Sequence, residues 1–304
     1  MLSGFSFMDK QSRTFSLYCG RTTLSLDRPA IMGIVNLTPD SFSGDGVGAD
    51  HCAAISHAES LIAAGADILD VGAESSRPGA QPVSADEELA RILPVLRALR
   101  DCPVPISVDT YKPEIMRAAL DCGASIINDI FAFRRPGALS AVAGYDCALC
   151  FMHMQGEPLV MQQSPRYLEV VSEVECFLQE RIRHADEAGI SFRRCWIDPG
   201  FGFGKSLDHN VELFRAIGRF VSAGLPVLVG VSRKSMLGAL TGRPVGDRLV
   251  ASVVAAVMAA RHGASVLRVH DVAETRDAIT IASALDTTPF EGRGGNDEQK
   301  ILRH

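Results

Sequence analysis

Apolar and polar positions alternate along this chain in a repeating way. Ile31–Val35 is an apolar run of strand length, and Ala-rich His51–Ala64 has helical character and stops at Gly65. Asp67–Val71 is the next strand. Ser84–Leu99 opens on Ser84 and Glu87, three apart in a capping-box pattern, and repeats apolar residues at helical spacing. Strands are expected at Ile106–Val108, Ser125–Asn128, Cys147–Met152, Arg194–Ile197, Pro226–Val229 and Ser265–Val269. Helices are expected at Pro113–Leu120, with Pro at its first turn and Gly123 beyond its end, and near Ala138–Val142. Further helices fall at Tyr167–Ala188, Val211–Ala223, Ser235–Leu240, Asp247–His262 and Asp271–Ala284. Before the first of these units, Phe15–Leu26 alternates loosely around Gly20-Arg21, as a β-hairpin does.

Eight strand–helix units in about 260 residues match the count and length of a (β/α)8 TIM barrel. An open doubly wound sheet usually carries a Gly-rich fingerprint after its first strand, and none is present here. No linker interrupts the alternation, so one domain is expected over residues 14–285. Residues 1–13 and 286–304 are polar and aperiodic, which predicts disordered tails.

In such a barrel the strand C-termini face one mouth, where the chemistry sits. Every predicted strand ends in a polar residue: Asn36, Asp70, Asp109, Asn128-Asp129, His153, Asp198, the run Ser232-Arg233-Lys234-Ser235, and Arg268 with His270. Capping and turn formation explain any one of these; all eight together point to a site. Carboxylates only accept hydrogen bonds, whereas an amide donates and accepts, so Asp109, Asn128 and Asp198 suit a flat heterocycle with a donor edge. Lys234, Arg268 and His270 form a cationic group on the last two strands, a frequent phosphate position in barrels. Asn36, on the strand adjacent to the last one in a closed barrel, offers a hard oxygen to Mg2+. The Gly/Ser-rich loops Leu37–Gly46 and Gly72–Gly79 have the length of lids or binding loops.

Composition narrows the partners. The chain has 304 residues, is 47% hydrophobic and carries a formal net charge of -6, with 6% aromatics and no basic stripe, which argues against nucleic acid. No apolar stretch has the length of a membrane span, and residues 1–13 have no basic-then-apolar export pattern. The eight Cys are scattered through apolar segments, as reduced thiols are in a cytoplasmic protein. Cys147 and Cys150 have redox or zinc spacing, but on a strand they point to opposite faces. Gly204-Lys205-Ser206 has the ending of a phosphate-binding P-loop, yet position 199, where the first glycine belongs, is Pro.

Several runs carry a family likeness: Met32-Gly-Ile-Val-Asn36-Leu-Thr-Pro-Asp-Ser-Phe42-Ser, Asp70-Val-Gly-Ala-Glu-Ser-Ser76-Arg77-Pro78-Gly-Ala, Ser107-Val-Asp109-Thr and Ile127-Asn128-Asp129-Ile130. Others are Met152-His153-Met154-Gln155-Gly156, Asp198-Pro-Gly-Phe-Gly-Phe203-Gly-Lys205, Ser232-Arg-Lys234-Ser235 and Arg268-Val-His270-Asp-Val. In these the chain resembles dihydropteroate synthase over most of Ile31–Ala284. The resemblance implies a usually dimeric barrel, a sulfonamide target, that joins p-aminobenzoate to 6-hydroxymethyl-7,8-dihydropterin diphosphate in folate biosynthesis and releases diphosphate.

Carried over by motif, Asp109, Asn128, Asp198 and Lys234 hold the pterin, with Asp109, Lys234 and Arg268 as the catalytic set. Asn36, Arg268 and His270 hold diphosphate, with Mg2+ on Asn36, and Ser76 touches the same substrate. Phe42, Arg77, Pro78, Phe203, Lys205 and Ser235 shape or approach the p-aminobenzoate pocket, and Met152 counts among the substrate-binding residues. The chain departs from the family at Gly44-Asp45, where the usual Asp is displaced by one, at Ala73 for Gly and at Ser76 for Thr. The alternatives are a methyltetrahydrofolate-dependent methyltransferase and a non-catalytic pterin-binding paralogue. The methyltransferase has no need for diphosphate-binding cations such as Arg268 and His270, and turnover separates the paralogue from the enzyme.

Overall fold

The computed structural model describes residues 15–38, 51–77 and 79–285. The predicted tails, the first loop with Phe42 and its displaced Asp45, and Pro78 lie outside the described residues. The chain opens with an antiparallel hairpin, β1 (Phe15–Tyr18) and β2 (Thr23–Leu26), pairing Phe15 with Leu26. Eight parallel strands follow: β3 (Ala30–Asn36), β4 (Ile68–Gly72), β5 (Ile106–Asp109), β6 (Ile126–Asp129), β7 (Ala148–Met152), β8 (Cys195–Asp198), β9 (Leu228–Val229) and β10 (Val266–Val269). From β3 to β8 each pairs with its sequence neighbours, β9 pairs with β10, and β10 returns to pair with β3, Arg268 beside Met32. The ring closes between β8 and the residues just before β9, through the Ile197–Val227 bridge and Ile197 N–H to Pro226 O at 2.9 Å.

The helices are α1 (His51–Ala63), α2 (Ala85–Ala98), α3 (Pro113–Asp121), α4 (Ala138–Val142), α5 (Val170–Glu187), α6 (Leu207–Arg215), α7 (Ile217–Val221), α8 (Ser235–Thr241), α9 (Leu249–Arg261) and α10 (Val272–Leu285). Three expectations need correction. The helix expected from Tyr167 begins at Val170, because Glu173 Oε1 takes the N–H groups of Leu168 and Glu169 at 2.7 and 3.0 Å and ends the turn there. Val211–Ala223 is two helices, α6 and α7, meeting at Ala216. At α2 half of the capping box forms: Ser84 Oγ accepts from Glu87 N, while the Glu87 carboxylate pairs with Arg91 instead.

Alternation along the strands sorts the core. Outward residues such as Val35, Leu69, Val108, Ile127 and Phe151 pack under the helices. Inward residues in the lower half of the barrel, Met32, Ile68, Ile126, Ala148, Cys150, Trp196, Leu228 and Val266, form a second cluster. Phe15 and Leu17 of the hairpin join it from below. Trp196 is fully buried and its Nε1 donates to Tyr18 O at 3.1 Å, so the hairpin plugs the N-terminal end. Cys147 and Cys150 fall in different clusters, on opposite faces of the sheet.

Candidate active site

The same alternation that places Ile68, Ile126, Trp196 and Val266 inside puts Asp70, Asn128, Asp198 and Arg268 inside two residues later, at the C-terminal mouth. Arg268 lies between two carboxylates: Nε donates to Asp70 Oδ2 at 2.6 Å and Nη2 to Asp109 Oδ2 at 3.1 Å. Asp70 is fully buried and also accepts from Asn128 Nδ2 at 3.5 Å. Asp109, Asn128 and Arg268 therefore share one network. Asp70, a strand-end carboxylate with no assigned role in the sequence, is its centre.

Burial pushes the Asp109 carboxyl up to about 7, against the pull of Arg268 and with help from the Asp70 charge. The two carboxylates sharing Arg268 outweigh burial and raise the guanidinium further. Burial also raises Asp198, which Lys234 opposes, and lowers Lys234 to about 8. Perturbation of this many groups in one cleft is a mark of a functional site. Three buried polar atoms at the mouth have no hydrogen-bond partner among the described residues: Asp70 Oδ1, Ser107 Oγ and Asn128 Oδ1. Buried acceptors are rarely left so, and two of these three are pure acceptors that call for N–H donors.

Lys234 enters this mouth from a strained turn. Arg233 has φ 58, a left-handed value that non-glycine residues seldom adopt. Its N–H is tied to Ser252 Oγ at 2.9 Å, and its guanidinium is paired with Asp271. Lys234 Nζ then donates to Phe201 O at 2.6 Å and stands 4.8 Å from the centre of the Phe203 ring. Phe203 belongs to an apolar wall with Tyr111, Ile130, Phe131, Met152, Met154 and Met161. Of these the sequence singled out Met152 and Phe203; Tyr111 and Phe131 come from loops whose packing has no local signature.

His270 sits beside Ser232, with Nδ1 3.0 Å from Ser232 Oγ. Burial, then the charges of Arg268 and Arg233, lower it to about 4, and Arg77 contributes in the same direction. Arg77 is exposed on the segment that follows β4. Ser76 is half-buried on the same segment, and Ser235 is exposed at the start of α8. Asn36 is half-buried at the last, inward position of β3.

Two polar residues of interest do not reach the mouth. Lys205, expected near the p-aminobenzoate pocket, is 3% exposed. Its Nζ is held by Gly200 O at 2.8 Å, Phe203 O at 3.0 Å and His153 Nδ1 at 2.9 Å. Burial drives its pKa well below the ordinary value, and burial followed by the Lys205 charge does the same to His153. Lys205 is drawn inward because this loop leaves its carbonyls without a strand to pair with. The loop turns so tightly that a Cβ at Gly200 or Gly204, both at positive φ, would lie 1.8 Å from His153 O or 2.4 Å from Gln155 O. Asp129 likewise faces outward, accepting from Phe131 N and Phe133 N at 2.7 Å each.

The pterin-binding enzyme family model matches residues 32–270. The Escherichia coli K12 dihydropteroate synthase is 47% identical over 269 residues, covering 88% of this chain and 95% of that protein. This chain belongs to the dihydropteroate synthase family. Solved members agree in shape: the Xanthomonas albilineans synthase with 4-aminobenzoic acid has a TM-score of 0.85 at 50% identity, covering 91% of this chain and 100% of that one. The Burkholderia cenocepacia synthase complexed with 7,8-dihydropteroate has a TM-score of 0.82 at 48% identity, covering 89% and 96%. Like these family members, the chain is an eight-stranded parallel barrel, here with a two-stranded antiparallel sheet before it.

Proposed function

We propose that this mouth condenses 6-hydroxymethyl-7,8-dihydropterin diphosphate with p-aminobenzoate, giving 7,8-dihydropteroate and diphosphate. The observation that carries the reading is the shared network of Asp109, Asn128 and Arg268 around buried Asp70, with buried acceptor atoms left without partners. Asn128 Oδ1 and the Asp198 carboxylate accept from the ring N–H and amino groups of the pterin. Lys234, held by Phe201 O, donates to a ring acceptor. Arg268 and His270 meet the diphosphate, with Arg77 and Ser76 approaching from the loop after β4.

The bond from the pterin methylene to the diphosphate oxygen breaks first, and the leaving electrons stay on diphosphate. Arg268 stabilises that charge. The pterin-methyl cation left behind is delocalised into the ring, where ionised Asp109 lowers its energy. The aniline nitrogen of p-aminobenzoate, unprotonated at neutral pH, then attacks the methylene and loses a proton to water. The wall of Phe203, Met152 and Tyr111 excludes water from the cation.

The described residues hold no group of three or more His, Cys, Asp or Glu arranged for a metal. Asn36 offers a single hard, neutral oxygen at the rim, a donor set that fits Mg2+ taking its other ligands from water and phosphate. Bound there, Mg2+ would neutralise charge on the leaving diphosphate.

Among the described residues no helix is long and apolar enough to cross a membrane, and we place the enzyme in the cytoplasm. A homodimer is supported by one face of α9. Val250, Val254 and Met258 recur four apart on it, 74%, 52% and 49% exposed, with Ile281 and Leu285 of α10 also exposed. The cationic side of the mouth favours the condensing enzyme over a methyltransferase. Diphosphate release is the test: it should require p-aminobenzoate, fall when Mg2+ is chelated and be inhibited by sulfonamides in competition with p-aminobenzoate. Absence of release from purified protein would leave only a non-catalytic pterin-binding role.

A further inference from the structure

A second charged cluster lies beside the mouth and reaches it only through Tyr111, a member of the apolar wall. Glu74, on the segment after β4 that carries Ser76 and Arg77, accepts from Tyr111 OH at 2.7 Å on one oxygen and from Lys112 Nζ on the other. Lys112 Nζ also donates to Glu88 Oε2 at 2.5 Å, and Thr110 Oγ1 donates to Glu88 Oε1 at 2.7 Å. All four carboxylate oxygens are thereby engaged. Glu88 is 1% exposed on α2. Arg91, from the same helix, donates to Ala73 O at 2.9 Å, so α2 grips the segment directly as well.

The chain positions of these partners carry the argument. Thr110, Tyr111 and Lys112 are the three residues that follow Asp109. The cluster therefore ties the segment bearing Ser76 and Arg77 to the segment bearing Asp109. One cation shared by a buried and a half-buried carboxylate is a poor device for stability alone, since apolar side chains of similar volume do as well or better. It is a good device for fixing register, because each partner accepts one geometry. Burial pulls Lys112 down, but the two carboxylates outweigh it and leave its pKa raised, so the ammonium stays charged. Burial pushes Glu88 up, against its bonds to Lys112 and Thr110.

We propose that Glu74, Lys112 and Glu88 are positioning residues that set Ser76 and Arg77 against Asp109, and so govern how tightly the diphosphate end of the substrate is held without touching it. The proposal rests on the synthase reading and deepens it. Without the tie, the segment keeps only the grip of Arg91 on Ala73, while the pterin contacts of Asn128 and Asp198 are untouched.

The test uses Glu74→Gln in the full chain, which keeps a side-chain oxygen for the bonds and removes one charge. The KM for dihydropterin diphosphate should rise about tenfold, with kcat within about threefold and the Kd for a pterin lacking diphosphate within about twofold. Amide hydrogen exchange at residues 73–77 of the free protein should quicken. Lys112→Met should raise the same KM further, and Lys112→Arg should recover to within about twofold of the parent. If Lys112→Met fails to fold, Glu74→Gln and Lys112→Arg still decide. An unchanged KM, or a KM, pterin Kd and Tm that worsen together, overturns the proposal. A parent protein without turnover defeats the synthase reading instead, and unchanged exchange at 73–77 in Glu74→Gln then defeats the positioning role on its own.

Discussion

The two ends of the barrel are built from the same strands and do opposite things. Below, inward residues are Met32, Ile68, Ile126, Trp196 and Val266, closed off by Phe15 and Leu17. Two residues further along four of these strands, the inward positions are Asn128, Asp70, Asp198 and Arg268. The lower layer gains free energy from burial. The upper one holds four carboxylate or guanidinium groups, with Asp109 among them, and leaves buried acceptors without partners. The stability of the first layer is what allows the second to keep desolvated charge in place, a division in which function and stability occupy separate levels of one core.

Substitutions at each level should separate these roles. Arg268→Met breaks the mouth: it should lower kcat/KM by about 10³-fold, because the developing diphosphate charge and the Asp70–Asp109 pair both lose their cation. Loss of less than tenfold in steady-state kinetics would remove Arg268 from the mechanism. Trp196→Ala breaks the other level, and should cost about 3–5 kcal/mol in denaturant unfolding. Its kcat per folded molecule should stay within about threefold of the parent.

Asp70→Asn sharpens the comparison. It should reduce kcat/KM at pH 8 by about tenfold, through a less firmly held Arg268. It also bears on pH. Asp109 is pushed up to about 7 in the free protein, so the neutral acid predominates below that and the ionised form above it. The synthase should therefore gain kcat/KM as pH rises through about 7. Removing the Asp70 charge lowers the Asp109 pKa, and the acid limb should move to lower pH in the variant. A limb that stays put would detach it from Asp109. The smallest effect belongs to Tyr18→Phe at the plugged end. Its hydroxyl bonds the Asp146 carboxylate near the surface. Loss of that bond should cost about 1 kcal/mol by thermal unfolding and leave kcat/KM unchanged.

The sequence made one of these levels easier to read than the other. Strand positions follow from apolar runs bounded by polar residues, and Asn36, Asp109, Asn128, Asp198 and Arg268 stand out as strand ends. That polar residues end every strand did not reveal which way each points. Asp129 and His153 serve turns and a buried lysine, and strand alternation alone separates them from their inward neighbours. The burial of Lys205 depends on two carbonyls of a glycine turn converging with the His153 imidazole, and the linkage of Lys112 to Glu74 and Glu88 on residues 38 and 24 apart in sequence. Neither leaves a periodic trace. The split between α6 and α7 was hidden because apolar spacing runs through it uninterrupted.

The hairpin at the closed end has a consequence for how the chain is born. Its two strands leave the ribosome before any barrel strand, but Trp196, whose indole binds the Tyr18 carbonyl, follows 178 residues later. Val266, another wall of the same chamber, comes later still. The hairpin thus waits for strands made long after it, and seating it and sealing the ring at Ile197 and Val227 become late events in maturation.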